Sequence, residues 1–251
     1  MKKIILATDL DNTMIFSFKR KTPEDICVEI NKDKPQSYMT PKAIELFRRL
    51  SEEICLVPVT TRSVEQYQRI DFPIQVAYAL TTNGAILLHN GAYQTEWCAE
   101  SERLVAPYYK EMERLCAELS EQDLYIRSRV VDQRYVFAYC ADGVNSEHCA
   151  ENYYGKTDLF VQASGRKVYF FPPKIDKGTA VQKLKKLLGG EMLICAGDSR
   201  IDVPMLEQAD IALVPTENMA SYLKNPNVRI CPPGRPFSEF VLEQTLEVIK
   251  E

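Results

Sequence analysis

Three uninterrupted apolar runs divide the chain, and each ends abruptly in polar residues. Ile4-Ile5-Leu6-Ala7 runs into Thr8-Asp9, Ile54 to Val59 into Thr60-Thr61-Arg62, and Met192 to Ala196 into Gly197-Asp198. Runs of this kind, lacking alternation, predict strands buried on both faces, as in a parallel sheet. Ligands of open α/β sheets sit beyond the carboxyl ends of the strands. Asp9, Thr60 and Asp198 are therefore expected to meet at one sheet edge.

Helical periodicity fills the gaps between these runs. Pro41 to Leu50 follows Thr40 as N-cap and puts Ile44, Phe47 and Leu50 on one stripe. Thr179 to Leu188 places Ala180, Val181, Leu184, Leu187 and Leu188 at helical spacing and stops at Gly189-Gly190. Ser238 to Lys250 is expected to open on a Ser cap, with Leu242, Leu246 and Ile249 inward. Ile211 to Val214 and Val228 to Cys231 read as the last strands. Strands alternating with helices predict an α/β fold with a Rossmann-like, doubly wound parallel core.

The middle of the chain changes period. Tyr135 to Tyr139 and Lys167 to Phe170 read as strands of an antiparallel sheet, and one long amphipathic helix is expected over Ser101 to Leu119. This predicts an inserted α+β cap at 85–170 between core segments 1–84 and 171–251. A β-hairpin is expected just after Asp9, with Ile26 to Ile30 and Gln36 to Met39 flanking Asn31 to Pro35.

Composition narrows the function. A net charge of −4 lacks the basic excess that a nucleic-acid binder needs. No stretch approaches the roughly 18 apolar residues of a membrane span. The opening MKKIILATD starts like a signal peptide, but its apolar run ends at Asp9 with no small-residue cleavage site after it. Eight cysteines without a C-x-x-C pair suit a reducing compartment better than a disulfide framework. Only two histidines occur, His89 and His148, neither at zinc spacing from other ligands. The expectation is a cytoplasmic protein, monomer or homodimer, with no nucleic-acid or membrane partner.

The chemistry points to phosphoryl transfer. Asp9 and Asp11 end the first strand two residues apart. A carboxylate is ionised near pH 7 and needs no base to act as nucleophile. A second carboxylate can give and take the proton if its surroundings raise its pKa. Two carboxylates facing a phosphate require a cation, and Mg²⁺ suits oxygen donors. Thr60 can donate to a phosphoryl oxygen, and Lys177, before Gly178 at a helix start, can aim an ammonium at it. Asp198 and Asp202 lie four apart and reach the same edge if a helix starts near Ser199. Each residue has an ordinary alternative: capping a helix, ending a strand or facing solvent. No G-x-x-x-x-G-K-[ST] or G-x-G-x-x-G loop offers a nucleotide site.

In this order the motifs DLDNT, VTTR, IDKGTA and GDSRIDVPML resemble those of the haloacid dehalogenase (HAD) superfamily of aspartate-dependent phosphatases. The insert resembles the type IIB cap of the sucrose-phosphate, mannosyl-3-phosphoglycerate and Cof-like phosphatases, with Asn83-Gly84-Ala85 similar to their hinge. The resemblance implies Asp9 as nucleophile, Asp11 as general acid/base, and Thr60 and Lys177 as phosphate ligands. It implies Mg²⁺ on the Asp9 carboxylate, the Asp11 carbonyl and Asp198, with Asp202 behind. Arg62 and Asn83 are expected as substrate contacts. The substrate class is a small phosphomonoester, a sugar phosphate or phosphoglycerate-type compound. Asn12, Thr61 and Ile201 depart from the family pattern, which usually has two glycines and an asparagine there. Two rival readings are a phosphomutase on the same scaffold and a non-catalytic phosphate- or metal-binding regulator.

Overall fold

A computed structural model describes residues 3–250. Five strands form one parallel sheet in the order Val228–Ile230, Ile211–Val214, Met192–Ala196, Ile4–Thr8 and Cys55–Pro58. Its residues alternate between two cores. Ile4 and Leu6 bury with helices Pro41–Ser51 and Phe237–Lys250, whereas Ile5 and Ala7 bury with helix Lys177–Leu188. Each fully buried large aliphatic side chain contributes about 1.5–3 kcal/mol, so apolar residues are required on both faces. That is why the runs do not alternate. In register, Thr8 lies beside both Ala196 and Pro58, which brings three strand ends together.

Helix boundaries follow their caps. Thr40 Oγ1 accepts from the Ala43 amide at 3.1 Å, and Pro41 opens the helix as expected. The helix expected from Thr179 begins earlier, at Lys177, because Asp176 is the N-cap and Oδ1 accepts from the Thr179 amide at 2.8 Å. The final helix begins at Phe237, so Ser238 lies buried in its first turn rather than capping it.

The hairpin after Asp9 pairs Ile26–Asn31 with Lys34–Met39, and Phe16–Ser17 adds a third strand. Lys32 and Asp33 both take positive φ, 49° and 60°, as a tight two-residue turn demands.

Strand Tyr78–Thr81 meets the sheet edge through a Val59–Leu80 bridge and pairs with Ile86–His89. Leu87 and Trp97 bury among the core strands. Beyond them an antiparallel sheet runs in the order Phe160–Ser164, Lys167–Phe171, Tyr135–Cys140 and Tyr125–Val131. Val136, Ala138, Val168 and Phe170 face helices Tyr109–Ser120 and Ser146–Glu151. Tyr135, Phe137, Tyr169 and Phe171 face the other way and pack with Ile201 of the core. The fold is α/β, a parallel core with an α+β cap.

One long helix was expected over Ser101 to Leu119. The chain forms two, Thr95–Val105 and Tyr109–Ser120, with a 3-10 turn at Ala106–Tyr108 between them. Pro107 has no amide hydrogen and its ring crowds the preceding turn, so a straight helix cannot pass through it.

Candidate active site

The first strand delivers Asp9 directly. Its amide still donates to the Ala196 carbonyl at 2.9 Å, so the residue is fixed in line with the sheet. The chain then folds back around Leu10, whose carbonyl accepts from the amides of Met14 and Ile15, both at 2.9 Å. Leu10, Met14 and Ile15 are buried, anchoring the loop below. Asn12 takes φ 65°, a left-handed geometry that asparagine tolerates where the family usually has glycine.

Strand Met192–Ala196 delivers Asp198, and a capping box follows it. Ser199 is the N-cap of a 3-10 turn, Arg200–Asp202, that leads into helix Val203–Leu206. Asp202 Oδ2 accepts from the amides of Asp198 and Ser199 at 3.2 and 3.0 Å. Gly197 makes room for this: a Cβ there would lie 2.4 Å from the Asp202 Cβ. Gly178 does the same at the lysine helix, where a Cβ would stand 2.3 Å from the Pro204 carbonyl oxygen. Both glycines serve close approach, not positive φ.

These elements bring Lys177 between two carboxylates. Its Nζ lies 2.5 Å from Asp9 Oδ1 and 2.5 Å from Asp202 Oδ1, with the lysine side chain 1% exposed. Burial alone would lower the ammonium pKa. Asp202 and Asp9 outweigh it and hold the pKa above its usual value. Burial pushes the Asp9 carboxyl well above the ordinary range; Lys177 opposes this, and the neighbouring Asp202, Asp198 and Asp11 reinforce it. Asp198 is raised to about 7, first by burial and then by the Asp202 charge, while Thr13 Oγ1 donates to its Oδ1 at 3.4 Å.

Carboxylate oxygens of Asp9, Asp198 and Asp202 lie within 4.8 Å of one another. At that separation two such charges repel by about 3.5 kcal/mol at an effective dielectric of 20. One lysine cannot neutralise three carboxylates. The three carboxylates together could hold an additional cation.

Asp11 is held differently. Arg62 grips it with Nε to Oδ2 at 2.9 Å and Nη2 to Oδ1 at 2.8 Å. Burial works to raise the Asp11 pKa, but the Arg62 fork prevails and holds it below the usual value. The condition for an acid at this position, a raised pKa, is therefore not met in this arrangement. Arg62 is itself held by Glu29 of the hairpin, Nη1 to Oε2 at 3.0 Å, and Ser37 Oγ donates to that same Oε2 at 2.5 Å.

The other expected residues divide. Thr60 is buried at the end of its strand, and its Oγ1 accepts from the Arg62 amide at 3.1 Å, shaping the loop that carries Arg62. Asn83 stands apart from the carboxylates: its amide donates to the Ile175 carbonyl at 3.0 Å, tying together the two crossings between core and cap. Ile201, where asparagine was the family norm, supports the cap aromatics.

Sequence reasoning missed the residues that dock the cap and hairpin. Asp132 Oδ2 accepts from the Val64 amide at 3.0 Å and from Thr82 Oγ1 at 2.6 Å. Tyr135 OH donates to the Thr61 carbonyl. Glu29 offered one signal, a lone acid between Val28 and Ile30 in an apolar strand. The cap closes a cavity of about 460 Å³, with Asp9, Asp11, Lys177 and Asp198 on its floor and Tyr139, Lys167 and Tyr169 above.

The family model for haloacid dehalogenase-like hydrolases matches residues 107–214. No curated protein matches the chain in sequence. Several solved structures share its fold over nearly their whole length. The sucrose-phosphatase of Synechocystis sp. PCC6803, solved with sucrose and phosphate, is 15% identical with a TM-score of 0.68, covering 100% of this chain and 99% of its own. A haloacid dehalogenase-like hydrolase from B. subtilis is 17% identical with a TM-score of 0.59, covering 96% and 99%. The Aspergillus fumigatus trehalose-6-phosphate phosphatase is 11% identical with a TM-score of 0.56, covering 100% and 94%. Residues 107–214 thus match the haloacid dehalogenase-like hydrolases, and the chain as a whole shares the fold of these structures.

Proposed function

We propose that the protein is a Mg²⁺-dependent phosphatase that hydrolyses a small phosphomonoester through a phosphorylated Asp9. The observation that carries this reading is the meeting of Asp9, Asp198 and Asp202 within 4.8 Å around Lys177, under a cap. The structural neighbours named sucrose-phosphatase and trehalose-6-phosphate phosphatase favour a sugar phosphate, and the motif resemblance adds a phosphoglycerate-type compound as the other substrate class.

The donor set fits a hard divalent ion, being all carboxylate oxygen. The Asp9 carboxylate, the Asp11 backbone carbonyl and Asp198 would hold it. Asp202 suits a place behind them, since its oxygens are already engaged by Lys177, Ser199 and the Asp198 amide. When bound, the ion offsets the charge of the carboxylates and of the phosphoryl oxygens.

The chain's own residues do the rest. An Asp9 oxygen attacks phosphorus in line; the new O–P bond forms as the bond to the leaving oxygen breaks. Lys177 opposes the charge on the transferring group. Asp11 gives a proton to the leaving oxygen, then takes one from the water that cleaves the aspartyl phosphate. Held ionised by Arg62, Asp11 is set for the second, base half of this cycle; the first half requires a proton on the same carboxylate. The cap excludes bulk water and large substrates.

All eight cysteines are free thiols, in keeping with a reducing, cytoplasmic setting. Among the described residues no helix is long and apolar enough to cross a membrane.

A phosphate-release screen over sugar phosphates, nucleotides and phosphoglycerates, with Mg²⁺ and with chelator, tests the reading. Release that requires the metal is expected from at least one class. No release from any ester would overturn it.

A further inference from the structure

A second cavity of about 500 Å³ adjoins the catalytic one, and Asp11, Thr61, Lys167 and Tyr169 line both. Its walls carry six lysines and arginines against three acidic residues. The acids are largely committed. Asp11 is held by Arg62, and Glu29 is shared by Arg62 and Arg69, at 3.0 and 3.5 Å. The third, Glu65, lies 3.9 Å from Arg69 with its side chain 84% exposed.

Three cations of the cap are left over. Among the described residues Arg127, Arg129 and Lys167 form no ion pair, whereas Arg62 and Arg69 form four between them. Register lines up the three. Arg127 stands across from Tyr139, which stands across from Lys167; Arg129 stands across from Phe137 in the next row on the same face. The guanidinium groups of Arg127 and Arg129 lie 5.6 and 5.7 Å from the Phe137 ring centre, which holds both over the cavity. Arg129 donates Nη2 to Gln66 Oε1 at 3.1 Å, but its Nε is buried with no acceptor among the described residues. A buried, unsatisfied charged donor costs free energy unless a ligand meets it.

Resting on the phosphatase reading above, we propose that this cavity receives a second anionic group of the substrate, on the leaving-group side of the ester. Arg127, Arg129 and Lys167 determine that specificity. The substrate is then a phosphomonoester that also carries a carboxylate or another phosphate. A neutral polyol leaves the three cations unmatched. A planar anion satisfies the arginine forks with short, charge-assisted hydrogen bonds.

Matched pairs of esters test this. With the full-length protein and Mg²⁺, kcat/KM is measured for 3-phosphoglycerate against glycerol 3-phosphate, and for fructose 1,6-bisphosphate against fructose 6-phosphate. The first pair reads carboxylate, the second phosphate. At least one charged member is expected to be preferred, and Arg127→Gln/Arg129→Gln is expected to cut that preference by about tenfold or more, roughly one charge-assisted contact. Equal rates within both pairs, or a variant that slows both members of a pair alike, would overturn the proposal. Calorimetry on Asp9→Asn with the same pairs reads the preference as binding. Should no ester be hydrolysed at all, the phosphatase reading fails, and the calorimetric preference with its loss in Asp9→Asn/Arg127→Gln/Arg129→Gln still decides the pocket's chemistry.

Discussion

Arg62 holds both carboxylate oxygens of Asp11 in a planar fork, and Glu29 of the hairpin holds Arg62 from behind. The relationship links three separate stretches: the first strand end, the second strand end and the hairpin. It gives the hairpin a task that its sequence did not announce. Arg62 is thereby a positioning residue for Asp11. Replacing it with alanine is expected to lower kcat by about ten- to a hundredfold, the scale of a misplaced catalytic group. Lysine should restore little, since an ammonium offers no matching fork. Steady-state kinetics of the two variants check this, and full activity in Arg62→Lys would contradict it.

Lys177 is the only cation in contact with both Asp9 and Asp202 among the described residues. Removing it leaves two buried carboxylates without their partner. Breaking a buried pair in this way typically costs about 3–5 kcal/mol. Denaturant unfolding of Lys177→Ala at neutral pH with chelator present should show a loss of that size, and added Mg²⁺ should recover part of it. A stability equal to wild type would mean that the lysine does not offset the cluster's charge.

The metal-free protein should respond to pH in an unusual direction. Asp198 is raised from the ordinary 3.8 to about 7, by burial first and the Asp202 charge second, and Asp9 is raised as well. A carboxyl with a folded pKa above its unfolded value keeps a proton in the fold that the unfolded chain has already released. Stability then falls as pH rises from about 4 to about 7, by at most about 1.4 kcal/mol per pH unit for each group. Thermal melts in chelator should show this decline, with Mg²⁺ stabilising more at pH 7.5 than at pH 5. In Asp198→Asn the decline should be shallower. A metal-free protein that grows more stable across that range would refute this electrostatic picture.

Much of this was legible in the residues themselves. Continuous apolar runs reported strands buried twice over, and their polar ends marked Asp9 and Asp198. Contacts made by side chains distant in sequence were not legible. Nothing in the local pattern around Glu29 says that it reaches Arg62, or around Asp132 that it caps the Val64 amide. Strand Tyr135–Cys140, read from the sequence only as antiparallel, is buried on both faces, because the core fills the side that an isolated sheet would leave wet. Pro107 was in plain view, and the apolar stripe running through it masked the break.

The account depends on Asp9 as the group that receives phosphate. The most direct measurement compares phosphate release by wild type and by Asp9→Asn on the best substrate, with Mg²⁺ and with chelator, after circular dichroism has established that both are folded. Release that stops with chelator, and that falls by at least on the order of a thousandfold in Asp9→Asn, is the predicted result. An Asp9→Asn protein turning over at the wild-type rate would contradict it.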